Sequence, residues 1–342
     1  MVNFGLIGTG YWGPNLARNL NSIDQGRLAW ICDANTNALS RIAANYPNAS
    51  TTTVIDEMIS APDLDAVVVA TPAGTHFEIA KQCLKAGKHV LVEKPLAMNS
   101  VECEELIQIA ADGGLKLMVG HTFLYSPPVL KVKELLDSGE LGDIYYAYST
   151  RANLGQIRKD VNAMWNLAPH DLSIFLHLFG SAPKSVSAKG ITHIQQGIED
   201  VVFMYLDFPG NIAAHVHVSW LDPGKVRKLT LVGSRKMVIY DDVNADAKIQ
   251  ILDKGVTKVA NQSAESFNSF GEFQLLLRAG DVLIPKVAAT EPLKSECSHF
   301  ADCIINDKKP LTDGVHGKQV VRVLEAAQQS INDDGRPVEV NL

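Results

Sequence analysis

The chain opens on an alternation of short apolar runs and longer amphipathic stretches. Phe4–Ile7 reads as a strand, Asn15–Asn21 as a helix, Leu28–Cys32 as a second strand and Ala38–Tyr46 as its helix. The valine-rich run Ala66–Ala70 is a third strand, and His76–Ala86 is helical with Gly87 fitted to its C-cap. His89–Val92, Val101–Ala111 and Leu115–Val119 repeat strand, helix and strand. Strands that are apolar throughout and separated by helices predict a parallel sheet covered on both faces. Pro127–Ser138 is one more helix, ended near Gly139, and the pattern then changes. Tyr145–Asn153, Ser185–Gly190, Val201–Phe208, Ile212–Trp220 and Val226–Val232 have β composition or alternation, with turns at Pro209-Gly210-Asn211 and Asp222-Pro223-Gly224. Strands without interleaved helices should pair mainly antiparallel. Pro169–Phe179 interrupts them as a helix, and two more follow around Ser295–Ile305 and His316–Asn332. The boundary between the two patterns falls near Gly120–Pro128.

Composition narrows the class without changing the fold. The 342 residues suggest two domains, and 46% hydrophobic with 20% charged residues is ordinary for a globular protein. With 31 basic and 38 acidic side chains the net charge is −7, which argues against a nucleic-acid-coating surface. No apolar run reaches the ~18 residues of a membrane span. The five cysteines, Cys32, Cys83, Cys103, Cys297 and Cys303, form no Cys-x-x-Cys pair and read as reduced thiols. A cytoplasmic, metal-free protein is the expectation.

The candidate chemistry sits at strand ends. Gly8-Thr9-Gly10-Tyr11-Trp12-Gly13 follows the first strand and opens a helix. Gly8 permits the tight turn, Gly10 lets the backbone approach a pyrophosphate, and Gly13 lets helix and strand pack closely. Asp33, 20 residues beyond Gly13, ends the second strand. A carboxylate there accepts from both ribose hydroxyls and repels a 2′-phosphate, which favours NAD over NADP; capping of the next helix is the other use for it. Thr71-Pro72-Ala73-Gly74-Thr75-His76 follows the third strand, and Glu93-Lys94-Pro95 the fourth. Pro95 restricts Lys94 to an extended backbone. Pro169 suits a first helical turn, so His170 would stand at a helix N-terminus, where the dipole favours the neutral imidazole a general base needs. His215 and His217 share a strand face and read as sheet surface rather than a metal site, which needs more ligands. Tyr145-Tyr146-Ala147-Tyr148 reads as sheet packing.

Together and in this order, the GxGxxG loop, Asp33, Thr71-Pro72…His76, Glu93-Lys94-Pro95 and Pro169-His170-Asp171 resemble the glucose–fructose oxidoreductase/inositol dehydrogenase/rhizopine catabolism (Gfo/Idh/MocA) family. Lys308–Gly314 resembles the family's turn before its last helix. The resemblance implies a fold of α/β class. An N-terminal Rossmann domain, doubly wound on a parallel sheet, would span residues 1–122. A C-terminal α+β domain with a large, open, mostly antiparallel sheet would span 123–342, its last helices able to pack back on the first domain. It implies homodimers or homotetramers formed through that sheet's outer face. It places Gly8, Thr9, Gly10, Tyr11, Trp12 and Gly13 at the phosphates and Asp33 at the ribose. Thr71, Pro72, His76, Glu93 and Lys94 fall beside the nicotinamide, with Lys94 and His170 as the active-site pair. Asn166 stands where many members have aspartate.

The implied reaction is NAD-dependent hydride transfer from a secondary hydroxyl of a sugar. His170 would be the base and Lys94 the cation that stabilises the alkoxide, or Lys94 the base, with Asn166, Tyr125, Asn162 and Arg158 orienting the sugar. Gly10–Asn15 and Asp160–Trp165 resemble members that oxidise the 3-hydroxyl of a UDP-linked amino sugar such as UDP-GlcNAc or its uronate. Arg151, Arg158 and Lys159 could carry a diphosphate. An inositol or free-sugar dehydrogenase and a non-catalytic dinucleotide-sensing regulator are the other readings.

Overall fold

Six strands build the first sheet, and its central strand Ala66–Val69 is apolar throughout, as a strand covered on both faces requires. The structure of the protein is a computed structural model, described over residues 1–256 and 277–341. The chain divides into two compact units, Met1–Ser126 with Thr290–Glu325, and Pro127–Ala289 with Ala326–Asn341.

In the first unit the strands are β1 Val2–Ile7, β2 Gly26–Cys32, β3 Ser50–Thr52, β4 Ala66–Val69, β5 His89–Glu93 and β6 Leu117–Gly120. They pair in parallel, in the order β3-β2-β1-β4-β5-β6. All four residues of β4 are fully buried. The connecting helices are α1 Gly13–Leu20, α2 Thr36–Ala43, α3 Ile55–Ile59, α4 His76–Lys85 and α5 Ser100–Asp112. Chain order runs outward from β1 in one direction and from β4 in the other, so the connections diverge between these strands and leave a crevice at their carboxyl ends. Helix α8, Pro292–Ile305, returns to this unit. There Phe300 lies 6.0 Å from the Phe4 ring, and Glu291 takes a two-pronged ion pair from Arg18.

The second unit is built on a nine-stranded sheet in the order β14-β13-β12-β11-β7-β10-β9-β8-β15. Its strands are β7 Ile144–Ala152, β8 Ser185–Ile191, β9 Val201–Phe208, β10 Ile212–Ser219, β11 Val226–Gly233, β12 Met237–Asp241, β13 Ile249–Val256, β14 Leu277–Leu283 and β15 Val338–Glu339. All neighbours are antiparallel except β7 and β10. Val202, Met204, Leu206 and Phe208 of β9 point inward while Phe203 and Tyr205 face out, as a period of two requires. The inner face is covered by α7, Ala163–Phe179, whose Phe179 meets Phe208 edge-on at 4.8 Å. Helices α6, Pro127–Asp137, and α9, Gly314–Asn332, complete the element order.

Two expectations about helix starts need correction. Helix α7 begins six residues before Pro169, because the Asn162 side chain accepts the Trp165 amide at 3.0 Å and caps it there. Pro169 lies inside the helix, where it costs about 3 kcal/mol. Burial of Met164, Trp165, Ala168 and Leu172, at ~1.5–3 kcal/mol for each large side chain, outweighs that cost. His170 therefore stands mid-helix, and no helix-end potential acts on it. The cap of α2 is Asn35, which accepts from Asn37 and Ala38; Asp33 caps nothing.

Among the described residues no helix is long and apolar enough to cross a membrane. The same residues hold no group of three His, Cys, Asp or Glu side chains placed to bind a metal. All five cysteines are buried and unbridged.

Candidate functional site

Gly8 follows β1 in the left-handed region, at φ +96°. A Cβ there would stand 2.6 Å from the Ala70 carbonyl oxygen, at the carboxyl end of β4. A Cβ on Gly13 would stand 2.4 Å from the Gly8 carbonyl oxygen, so this glycine closes the loop on itself. Gly10 faces open space, with nothing within 4 Å of an added Cβ. No side chain caps α1; Pro14 has no N–H and the Asn15 amide bonds the Trp12 carbonyl at 3.0 Å, so Gly13 supplies the first-turn amide at the helix start. Tyr11 is 90% exposed.

Asp33 is locked onto this loop. Its Oδ2 accepts the Thr9 amide at 2.6 Å and the Thr9 hydroxyl at 2.7 Å, and its Oδ1 accepts the Asn35 amide at 2.8 Å. Burial alone would raise its pKa, but these hydrogen bonds favour the charged form and hold it below the usual carboxylate value.

The loops after β4 and β5 are tied to each other. Thr75 donates to the Thr71 hydroxyl at 2.8 Å or to the Pro72 carbonyl at 2.7 Å. His76 is buried, its Nδ1 2.7 Å from the Pro95 carbonyl and its Nε2 3.0 Å from that of Thr71. It bridges the Thr71 loop to the Lys94–Pro95 segment, whose peptide bond is cis. Lys94 is half-buried at the end of β5. Glu93 turns its carboxyl toward Gly120, where an added Cβ would lie 3.1 Å from Oε2. It accepts the Lys94 amide at 3.3 Å. Burial raises the Glu93 carboxyl to about 7, against the opposing charge of Lys94.

The second unit places Asn166 and His170 one turn apart on α7, and hence on one face. Trp220 donates its indole N–H to Asn166 Oδ1 at 3.2 Å, which orients the amide. The next residue, Asp171, is buried and pairs with buried Arg151 through Nε at 2.6 Å. Arg151 is thereby committed inside the fold and is not a diphosphate ligand. Arg158 forms a fork with Asp160 at 2.8 and 2.5 Å.

Two sequence candidates are committed elsewhere. Asn162 caps α7 and donates to Glu199 at 2.6 Å and Gln328 at 2.9 Å. Tyr125, in the first unit, is buried with its hydroxyl 3.0 Å from that of Thr312. Neither side chain is presented to a ligand. Sequence reasoning passed over Trp220, Gly120 and buried Glu296. The signal for the last was a glutamate in the apolar stripe Leu293, Cys297, Phe300, Ala301.

Comparison with known proteins agrees with this geometry. Residues 2–121 match the Gfo/Idh/MocA oxidoreductase family, NAD-binding Rossmann fold, and residues 129–239 match the Gfo/Idh/MocA C-terminal domain. The chain is 28% identical over 225 residues to 2,7-anhydro-N-acetylneuraminate hydratase of Escherichia coli, covering 61% of this chain and 59% of that protein. It is 29% identical over 204 residues to inositol 2-dehydrogenase of Rhizobium meliloti, covering 58% and 61%. The alignments thus span less than two thirds of these relatives' length. UDP-N-acetylglucosamine 3-dehydrogenase GnnA from Acidithiobacillus ferrooxidans superposes with a TM-score of 0.81 at 22% identity, covering 97% of each chain, a likeness of fold alone.

The residues of the first unit fit NAD. Gly10 leaves the backbone open to a pyrophosphate, the start of α1 offers the Gly13 amide, and ionised Asp33 suits a ribose without a 2′-phosphate. Gly10→Ala should leave thermal stability unchanged and weaken NAD binding about tenfold, a loss of about 1.4 kcal/mol. Gly8→Ala should also destabilise the fold, by about 1–3 kcal/mol for the strained backbone. Titration of nucleotide binding beside urea unfolding checks both, and a Gly10→Ala protein that binds NAD like wild type would contradict the assignment.

Proposed function

The chain belongs to the Gfo/Idh/MocA oxidoreductase family, and from that premise we propose that it is an NAD-dependent oxidoreductase acting on a secondary hydroxyl of a sugar. One observation carries the reading. The glycine loop after β1, the Thr71 loop after β4 and Lys94 after β5 lie at the carboxyl edge of one parallel sheet, the last two tied together by His76. An ammonium group at the end of the strand next to the dinucleotide crevice has the sign needed to stabilise an alkoxide.

In this reading His170 takes the hydroxyl proton as the general base, and Lys94 stabilises the oxyanion that forms. NAD, when bound, supplies the acceptor for the hydride leaving the carbinol carbon. Asn166, its oxygen held by Trp220, turns its NH2 toward the sugar. Tyr125 and Asn162 have no part in it, since their polar atoms are engaged elsewhere. A regulator that only senses a dinucleotide has no use for an acid–base pair, so Lys94 and His170 weigh against that reading.

For the substrate we infer a UDP-linked amino sugar or its uronate, oxidised at the 3-hydroxyl. Gly10–Asn15 and Asp160–Trp165 support this, as does Arg158. The Arg158 guanidinium is partly exposed and forks onto Asp160, a pairing that a diphosphate could replace bidentately. An inositol or free sugar is the alternative, favoured by the match to inositol 2-dehydrogenase.

The outer face of the second sheet supports assembly into a homodimer or homotetramer. Tyr146 and Tyr148 of β7 stack at 6.3 Å, and Phe203 of β9 stacks on His217 of β10 at 4.5 Å, all on the side away from α7. Tyr146, Tyr148, Phe203 and Tyr205 are each at least 39% exposed, which makes an aromatic patch of the kind that marks interfaces.

Lys94→Ala and His170→Ala should each lower turnover by about 10²–10⁴-fold with little change in NAD affinity. NADH formation across UDP-sugars and free polyols, with a ketone trap, reads this out. UDP alone should compete with the substrate. A signal confined to polyols would replace the nucleotide-sugar reading, and near-normal turnover in either variant would remove that residue from the mechanism. Tyr146→Glu with Phe203→Glu should lower the mass seen by light scattering, and an unchanged mass would place the interface elsewhere.

A further inference from the structure

Glu296 is fully buried on α8, among Leu293, Cys297, Phe300 and Ala301. Its Oε2 accepts the Thr122 hydroxyl at 2.8 Å, and its Oε1, closed to solvent, has no hydrogen-bond partner among the described residues. An ionised carboxylate here would give up its hydration for one hydrogen bond, so the site favours the neutral acid. A second carboxyl stands close by. Glu93 packs against Gly120, two residues before Thr122, so one short turn after β6 touches both groups. Two carboxyls in one dry site do not both ionise.

The partners of the two groups differ. Glu93 accepts the Lys94 amide, and it feels the Lys94 ammonium. Glu296 accepts the Thr122 hydroxyl alone. Charge therefore belongs on Glu93 and the proton on Glu296. We infer that Glu296 is a positioning residue: it keeps one proton within the carboxyl pair and so leaves a single negative charge on Glu93, beside Lys94. The positioning role rests on the reading of Lys94 given above, whereas the placement of the proton does not.

The surroundings agree. Burial first, and Glu93 second, push Glu296 well above the usual carboxylate range. Tyr125 and Cys297 face the pair with burial raising both, which keeps them neutral. His121 lies between Lys94 and His316, its pKa lowered by burial and then by these two neighbours, and it is neutral too. Lys94 is left as the cation that answers the pair's charge. A second negative charge would change the potential at its ammonium.

The signs fix the test. A carboxyl whose folded pKa lies above its unfolded value contributes stability that is present below the unfolded pKa and is lost as pH rises through the folded one. Glutamine cannot lose that proton. As pH rises above the unfolded carboxyl value of about 4.3, the wild-type Tm should therefore fall more steeply than that of Glu296→Gln. In turnover Glu296→Gln should also lack the alkaline limb that ionisation of the pair gives wild type. Glu296→Leu, if it folds, should lose about tenfold in kcat with NAD affinity little changed, and Glu296→Gln should restore most of that loss. Parallel Tm-against-pH curves for wild type and Glu296→Gln would overturn the proton assignment. A folded Glu296→Gln as impaired as Glu296→Leu would overturn the positioning role. The Tm measurement uses no substrate, so if wild type oxidises no sugar the hydride-transfer reading fails while the proton on Glu296 is still decided.

Discussion

Gly8 has no Cβ, and the carboxyl edge of the parallel sheet depends on that. At φ +96° the chain leaves β1 so close to Ala70 that a methyl group would meet its carbonyl oxygen at 2.6 Å. From this contact follow the turn of the loop, the start of α1 at Gly13 and the seat of Thr9 on Asp33. The crevice opens between β1 and β4 because the strand order diverges there. Topology supplies the crevice and one glycine supplies its floor, so the dinucleotide site is a consequence of the fold.

The second constraint is the handling of charge out of water. Asp33 is held ionised by three hydrogen bonds, Arg151 and Asp171 neutralise each other, and Glu93 is balanced by Lys94. In each case a buried charge is answered by a donor or an opposite charge, as the cost of burial demands. Glu296 differs in having one weak partner and an anionic neighbour, and its burial is compatible with the fold through a retained proton.

Much of this was legible in the chain, for physical reasons that can be named. β1, β4 and β5 each hold an apolar run, Phe4–Ile7, Ala66–Val69 and Val90–Val92, bounded by glycine, proline or charge, so their ends, and with them Gly8, Thr71 and Lys94, could be placed. The β7–β11 strands showed β composition or alternation over six residues or more. β3 and β15 are too short to show a period, and β12 to β14 were passed over although Met237–Asp241 alternates. The start of α7 was misplaced because Pro169 has the signature of a first turn, while the decisive signal, the Asn162 cap, is a single hydrogen bond backed by buried apolar side chains. The partners of Asn166 and Glu296 lay beyond reach for a different reason. Trp220 lies 54 residues from Asn166, and Glu296 lies 174 from Thr122, and no local pattern joins such pairs.

The central claim is that the sheet edge and α7 serve hydride transfer from a sugar carbinol. Its most direct test is the fate of the carbinol hydrogen. The protein would be incubated with NAD and UDP-amino sugars or polyols deuterated at each ring carbinol, and the nicotinamide product weighed by mass spectrometry. The account predicts deuterium in the reduced nicotinamide from one ring position of one sugar class, and none with Lys94→Ala. NAD that binds but gains deuterium from no carbinol would contradict it.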